Sequence, residues 1–209
     1  MTQTKTNNKL GLDSEYLELE LPSTVSDYLT WISYKERKII LNDNIDTSTI
    51  NNVSHWINSW NDEDIDTPVN ERKIIKIELT SNGGDVVSGL NICDVVEASK
   101  TPVEITTFAC AASMGALILL SGHKRKAYKN SIILIHDGSL ALQGSSRKAK
   151  NTMDFYAKLD ARVKEYILSR TNISEELYDS KADDEWYLFA NEALELGIIE
   201  ELIGGEEIE

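Results

Sequence analysis

Phe108-Ala-Cys-Ala-Ala-Ser-Met-Gly-Ala116 places one serine between small residues, at the junction of two different patterns. Residues 103–108 before it predict a strand, and the apolar run 114–121 after it predicts a helix. The first turn of a helix has backbone N–H groups without intrahelical partners and the positive end of the helix dipole. Ser113 therefore stands where an alkoxide nucleophile and an oxyanion would be stabilised, although serine is also a common helix N-cap.

A second junction of strand and helix contains two glycines. Ser81-Asn-Gly-Gly84 follows an alternating stretch, residues 73–79, and precedes a helical pattern that ends near Ala98. Glycine allows positive φ angles and a close approach of the backbone to a ligand. The spacing fits neither of the phosphate-binding patterns G-x-G-x-x-G and G-x-x-x-x-G-K-[ST]. The turn is therefore either an ordinary connection or a backbone amide aimed at a carbonyl oxygen.

A histidine ends the third predicted strand. Residues 132–135 are four consecutive apolar residues, and His136 follows them directly. Catalytic groups gather at the carboxyl ends of parallel strands, so we expect the glycine turn, Ser113 and His136 at one edge of a sheet. The other two histidines, His55 in a helical pattern and His123 in a basic loop, predict structural or solvated roles. His136 is the histidine placed for proton transfer.

These motifs together resemble those of the Clp protease proteolytic subunit family, the self-compartmentalised serine peptidases. Residues 81–84 resemble that family's Ser-Pro-Gly-Gly turn, and residues 111–116 match its Ala-Ala-Ser-Met-Gly-Ala motif letter for letter. Leu134-Ile-His136 resembles its Met-Ile-His strand end. The resemblance extends from Glu36 to Ile203, and the ordered set is more specific than any one motif.

The resemblance implies an α/β fold, the crotonase/ClpP-like spiral of ββα units with a protruding helix-strand handle. It implies a serine endopeptidase in which Ser113 is the nucleophile and His136 the general base. The amides of Gly84 and Met114 become the oxyanion hole. The serine precedes the histidine and the acid follows it, which differs from the α/β-hydrolase order and disfavours a lipase or esterase.

The resemblance also implies where the substrate lies and what the chain assembles with. Gln143 and Gly144 fall where the family has a substrate-aligning strand. Polypeptide substrates, homo-oligomeric rings (a heptamer or a double heptamer) and an ATP-dependent AAA+ unfoldase are the partners expected. The following helix pattern, residues 145–170, corresponds to the handle helix, and its apolar stripe consists of Met153, Tyr156, Leu159, Val163 and Ile167.

The acid of the triad is less well defined by the sequence. Matching Trp186 to the family's aromatic residue makes Asp184 the acid, and Asp184 is our prediction. Counting back from Glu192 selects Glu185 instead, which implies a one-residue insertion between the two anchors. Asp183 and Glu185 remain the fallbacks.

Two alternatives to an active peptidase follow from departures from the family pattern. Asp183 stands where the family carries an arginine used between rings, which bears on the docking of two rings. Asp137 follows the histidine, where it could compete for the imidazole proton, and the triad acid is shifted by an insertion. A catalytically impaired structural subunit of such an assembly is therefore one alternative. A crotonase-type acyl-CoA enzyme is the other, since the same spiral serves thioester chemistry without needing Ser113 together with His136.

Composition sets the outer bounds. The 209 residues, 41% of them hydrophobic, predict a flexible segment at 1–14, one domain at 15–203 and an acidic tail at 204–209. The formal net charge of −14 disfavours nucleic acid and anionic membranes as partners. We expect no cofactor and no metal, because ligand-spaced clusters are absent from the sequence. Without a signal-peptide pattern or a membrane span, and with two cysteines in apolar segments, the prediction for localisation is the cytoplasm.

Overall fold

The computed structural model describes residues 24–136, 138, 145–181 and 184–204. It forms two compact units, one ending at Glu36 and the other beginning at Arg37. In the first unit, the described residues form helix α1 (Val25–Glu36). The single domain predicted for residues 15–203 stays a prediction. The predicted boundary between residues 14 and 15, and residues 205–209 of the acidic tail, lie outside the described residues.

The second unit alternates strands with helices. Its strands are β1 (Lys38–Leu41), β2 (Ile75–Ser81), β3 (Val103–Ala112), β4 (Lys124–Tyr128), β5 (Ile132–Ile135), β6 (Trp186–Phe189) and β7 (Glu201–Ile203). Its α-helices are α2 (Thr47–Glu63), α3 (Val86–Ala98), α4 (Met114–Ser121), α5 (Ser146–Arg170), α6 (Glu175–Lys181) and α7 (Ala190–Glu195). A short 3₁₀ helix, Val69–Glu71, precedes β2.

The sheet is mostly parallel and divides at its longest strand. The order β1-β2-β3-β4-β7 is parallel throughout. Residues 104–107 of β3 pair with β4, whereas residues 110–112 pair with β5, so one strand serves two neighbours. Strand β6 then pairs antiparallel with β5. The predicted α/β fold is confirmed.

Burial follows the periodicities of the sequence. In β2 the alternate residues Ile75, Ile77 and Leu79 are buried, while Lys76 is exposed. Helix α4 is apolar on all sides, and all eight of its residues are buried. The core therefore lies between the sheet and helices α2 to α4, and the carboxyl end of β3 leads directly into its centre.

Helix α5 is the opposite case. Of its 25 residues only Ile167 is buried, which fits the helix of the predicted handle. The strand of that handle, with Gln143 and Gly144, lies outside the described residues. Among the helices that the structure describes, none is both long and apolar enough to cross a bilayer.

Candidate active site

Ser113 adopts an unusual backbone conformation between β3 and α4. Its φ is 54° and its ψ is −122°, a region that costs a residue with a side chain on the order of 1–3 kcal/mol. The hydroxyl makes no helix-capping hydrogen bond, although the residue occupies the N-cap position. Its backbone N–H donates to the carbonyl of Leu134 over 2.9 Å, which fixes the turn to the end of β5. Helix capping therefore does not explain why a serine occupies this position.

The glycine turn packs directly against this serine. Gly83 has a φ of 94°, and a Cβ atom on it would lie 2.7 Å from the Cβ of Ser113 and 2.8 Å from the carbonyl oxygen of Ala112. The buried hydroxyl of Ser81 accepts a hydrogen bond from the N–H of Gly83 and donates to the carbonyl of Asp43. Glycine is therefore required at residue 83 for the turn to approach Ser113 this closely.

Two backbone amides face the same region. Gly84 forms an isolated parallel bridge with Ile45, whose two hydrogen bonds use the carbonyl of Gly83 and the N–H of Asp85. That pattern leaves the N–H of Gly84 outside the bridge. Within the described ranges, no acceptor is paired with the amide of Gly84 or with that of Met114, and both residues line one cavity. The two amides are thus available to an incoming acceptor.

His136 lies at the carboxyl end of β5, where it contacts a carboxylate. Its Nδ1 atom is 2.9 Å from Oε1 of Glu185. The antiparallel register explains this contact, because Ile135 pairs with Trp186 and the next position along each strand brings His136 opposite Glu185. The imidazole side chain is 21% exposed, whereas the Glu185 side chain is 57% exposed. The contact orients the ring and assigns a partner to Nδ1.

The predicted acid, Asp184, is not the residue that meets the histidine. Its carboxylate lies 3.8 Å from Nζ of Lys181, and its backbone N–H donates to the carbonyl of the same residue. Asp184 lies in a bend before β6, and its recorded contacts are with Lys181 and not with His136. The carboxylate that contacts His136 is that of the fallback Glu185, while Asp183 lies outside the described residues; the choice of the catalytic acid stays a prediction.

Ser113 and His136 line the same cavity, which has a volume of about 310 Å³. In the described part of the chain no hydrogen bond joins the serine hydroxyl to the imidazole; catalytic contacts of this kind often tighten only when substrate binds. Helix α5 forms the other side of the cavity. The four members of the predicted apolar stripe that reach it are Tyr156, Leu159, Val163 and Ile167, whereas Met153 is exposed.

Sequence reasoning missed two polar residues of the cavity wall, Asp160 and Tyr178. Asp160 lies four residues after Tyr156, so its position on the cavity-facing side of α5 could have been read from the helical period. Tyr178 lies on α6, and no motif marks it. The placement of α6 against this cavity depends on contacts distant in sequence.

The remaining histidines and cysteines lie outside this cavity. The Nδ1 atom of His123 accepts the backbone N–H of Val103 over 3.0 Å, so its predicted structural role is confirmed. His55 is exposed. Both cysteines are unpaired, and burial raises the pKa of Cys93 to about 12. Among the described residues, no group of three or more His, Cys, Asp or Glu side chains is arranged to hold a metal ion.

Comparison with known families agrees with this geometry. The family model described as Clp protease matches residues 24–206, nearly the whole chain. The match covers the serine junction, the glycine turn and the histidine, together with the strands that carry them. It confirms the resemblance drawn from the sequence motifs. This chain belongs to the Clp protease family, a family of peptidases.

Proposed function

We propose that this chain is a serine endopeptidase that cleaves unfolded polypeptides with Ser113 as the nucleophile and His136 as the general base. The observation that carries the proposal is the shared cavity, which holds a strained serine without a capping role and a histidine whose Nδ1 is already engaged by a carboxylate. A serine hydroxyl needs such a base to become nucleophilic.

The chemistry follows from these positions. Nε2 of His136 takes the hydroxyl proton as Ser113 attacks the peptide carbonyl, and the imidazolium is stabilised by Glu185. The carbonyl oxygen becomes an oxyanion that accepts hydrogen bonds from the amides of Gly84 and Met114. His136 then donates this proton to the leaving amine as the peptide C–N bond breaks, and the acyl group remains bound to Ser113 as an ester. A water molecule, deprotonated by His136, hydrolyses that ester and regenerates the serine.

Assembly is the second part of the proposal. An exposed peptidase site would attack other proteins in a cell, and enclosing it in a ring of subunits limits access to chains that have been unfolded. We propose homo-oligomeric rings, a cytoplasmic location and delivery of substrate by an ATP-dependent AAA+ unfoldase. Family membership supports a ring of subunits and peptide substrates, while Gln143 and Gly144 remain the proposed residues that align the substrate.

A fluorophosphonate probe tests the catalytic part. The probe forms a covalent bond to an activated serine, and peptide mapping by mass spectrometry locates it. We expect labelling of Ser113 in the native chain and none in Ser113→Ala or in urea-denatured wild-type protein.

The same experiment separates the alternatives. Absence of labelling in a chain that still assembles into rings would overturn the peptidase and favour a structural subunit. An unlabelled chain that hydrates or isomerises enoyl thioesters would instead favour the crotonase-type enzyme.

A further inference from the structure

The cavity beside Ser113 contains a carboxylate with no part in the catalytic steps. Asp160 lines this cavity from α5, and its side chain is exposed to solvent. Among the described residues, no salt bridge joins Asp160 to a cation. The cavity volume of about 310 Å³ lies at the lower end of the range for small-ligand sites, so it accommodates one long side chain of a substrate.

The residues beside Asp160 form an apolar approach to it. Tyr156 precedes it by four positions and Val163 follows it by three, so both share its face of the helix, and Leu159 adds an aliphatic side chain. Such a wall suits the methylene stem of a long side chain whose polar end is charged. A leucine or phenylalanine would contact the same wall and leave the carboxylate without a partner.

The charges beyond the cavity wall have the same sign as Asp160. Lys164, four residues further on the same helix, is the cation closest along this face, but its Nζ is 2.6 Å from Asp179 and 2.9 Å from Glu175. The hydrogen bond to Asp179 raises the pKa of Lys164, so the ammonium remains charged and engaged. Lys164 is therefore engaged by two carboxylates outside the cavity lining, and these three groups together carry a net negative charge. Lys158 and Arg162 lie two positions from Asp160, where helical side chains do not face one another.

We propose that Asp160 is a specificity-determining residue that selects lysine or arginine as the residue whose carbonyl is attacked, with the stem along the α5 wall and the cation against Asp160. This inference rests on the proposed function, because it requires that Ser113 performs acyl transfer in this cavity. The carboxylate does not touch the reacting atoms. Asp160 forms an ion pair with a lysine or arginine side chain of the substrate, which a neutral substrate side chain cannot form.

Two peptides that differ only in charge test the proposal. Both carry the same fluorogenic leaving group, and the attacked residue is arginine in one and citrulline, its neutral isostere, in the other. We expect kcat/KM for the arginine peptide to exceed that for the citrulline peptide about fivefold, the size expected of a solvent-exposed ion pair. In Asp160→Asn the ratio should fall to near one.

Asp154→Asn is the matched control, because Asp154 is an exposed aspartate of the same helix that does not line the cavity. Its ratio should remain about fivefold. A wild-type ratio at or below one, a ratio unchanged in Asp160→Asn, or an equal loss in Asp154→Asn would each overturn the inference while leaving the peptidase intact. Failure of the proposed function has a different signature, since hydrolysis of both peptides would then be absent or insensitive to Ser113→Ala.

Discussion

Glu185 and Asp184 are adjacent carboxylates with different partners, and only the first contacts His136. Glu185→Gln preserves the shape of the side chain but offers His136 an amide in place of a charge. By analogy with a triad aspartate changed to asparagine, we expect kcat to fall by up to about 10⁴. The measurement is steady-state hydrolysis of a fluorogenic peptide, with folding checked by circular dichroism.

Asp184→Asn is the matched control for this experiment. It removes the neighbouring charge and the contact with Lys181, so we expect activity within a few-fold of wild type. If Asp184→Asn were inactive and Glu185→Gln nearly as active as wild type, the catalytic acid would be Asp184, as predicted from Trp186.

The site residues that could be predicted are those contained within a single motif. Ser113 and the glycine turn lie at local junctions of strand and helix, and His136 directly follows an apolar run. The contact between Glu185 and His136 could not be predicted, because it depends on how β6 pairs with β5, and a shift of one residue exchanges the two sides of a strand. Sequence spacing alone does not determine that register.

At the scale of elements, β3 depends on one hydroxyl where it changes partner. Ser131 is buried, and its Oγ donates to the carbonyls of Thr107 and Phe108, at the point where pairing with β4 ends. Ser131→Ala removes the donor from the buried carbonyl of Thr107 and the partly buried carbonyl of Phe108. We expect a loss of about 1–3 kcal/mol in the free energy of unfolding, measured by urea denaturation.

Ser180→Ala provides a comparison, since Ser180 is an exposed serine whose hydroxyl also donates to a backbone carbonyl, that of Leu177. We expect Ser180→Ala to lower the free energy of unfolding by no more than about 0.5 kcal/mol, as is usual for surface positions. Equal losses in the two variants would show that the change of partner in β3 does not depend on Ser131.

Local pattern predicted most of the elements but not how the sheet divides. The helix predicted at residues 114–121 has the bounds of α4, and the alternation at residues 73–79 marks most of β2. The strand predicted at residues 103–108 continues to Ala112. Its last residues are small and poor strand formers, and they are held extended by pairing with β5, a partner that only the folded chain brings near.

At the scale of the molecule, net charge opposes assembly. Subunits of formal charge −14 repel one another, and salt screens that repulsion over about 10 Å at 0.1 M. We therefore expect a single ring or a salt-sensitive double ring that becomes more stable as ionic strength rises. Light scattering across a salt series measures the mass directly. A monomer at every salt concentration, or a double ring indifferent to salt, would contradict this expectation.

A buried ion pair makes the second unit sensitive to acid. The guanidinium of Arg37 donates to both carboxylate oxygens of Asp64, and these hydrogen bonds are the main cause that lowers the pKa of that carboxyl. A lowered pKa in the folded state contributes stability above the unfolded value of about 3.9, and that contribution is lost as the pH falls through the folded value.

Asp64→Asn tests this linkage. At neutral pH it removes the carboxylate that the buried Arg37 contacts most closely and leaves Glu63, 3.6 Å away, as the remaining carboxylate, which we expect to cost up to about 3–5 kcal/mol in the free energy of unfolding. The difference from wild type should narrow as the pH falls below about 4, because Asp64 of the unfolded wild-type chain then binds a proton while the folded carboxylate is still ionised, and it should be smallest below the lowered folded pKa. Asp154→Asn should show no such dependence, and a difference that is constant from pH 7 to pH 2 would contradict the assignment.

The backbone of Ser113 has a consequence for how the chain could change under selection. Glycine is the residue that accepts a φ of 54° and a ψ of −122° with least strain, so the residue best for folding and the residue needed for hydrolysis differ at this position. Glycine relieves the backbone strain at residue 113 but adds conformational entropy to the unfolded chain, at a cost of about 0.4–1 kcal/mol. We expect the relief of strain to be larger, so that Ser113→Gly is more stable than Ser113→Ala by about 1 kcal/mol and has a higher Tm. A lower Tm for the glycine variant would mean that the turn is unstrained. Selection for thermal stability alone would then favour loss of the nucleophile, and only selection for cleavage would retain it.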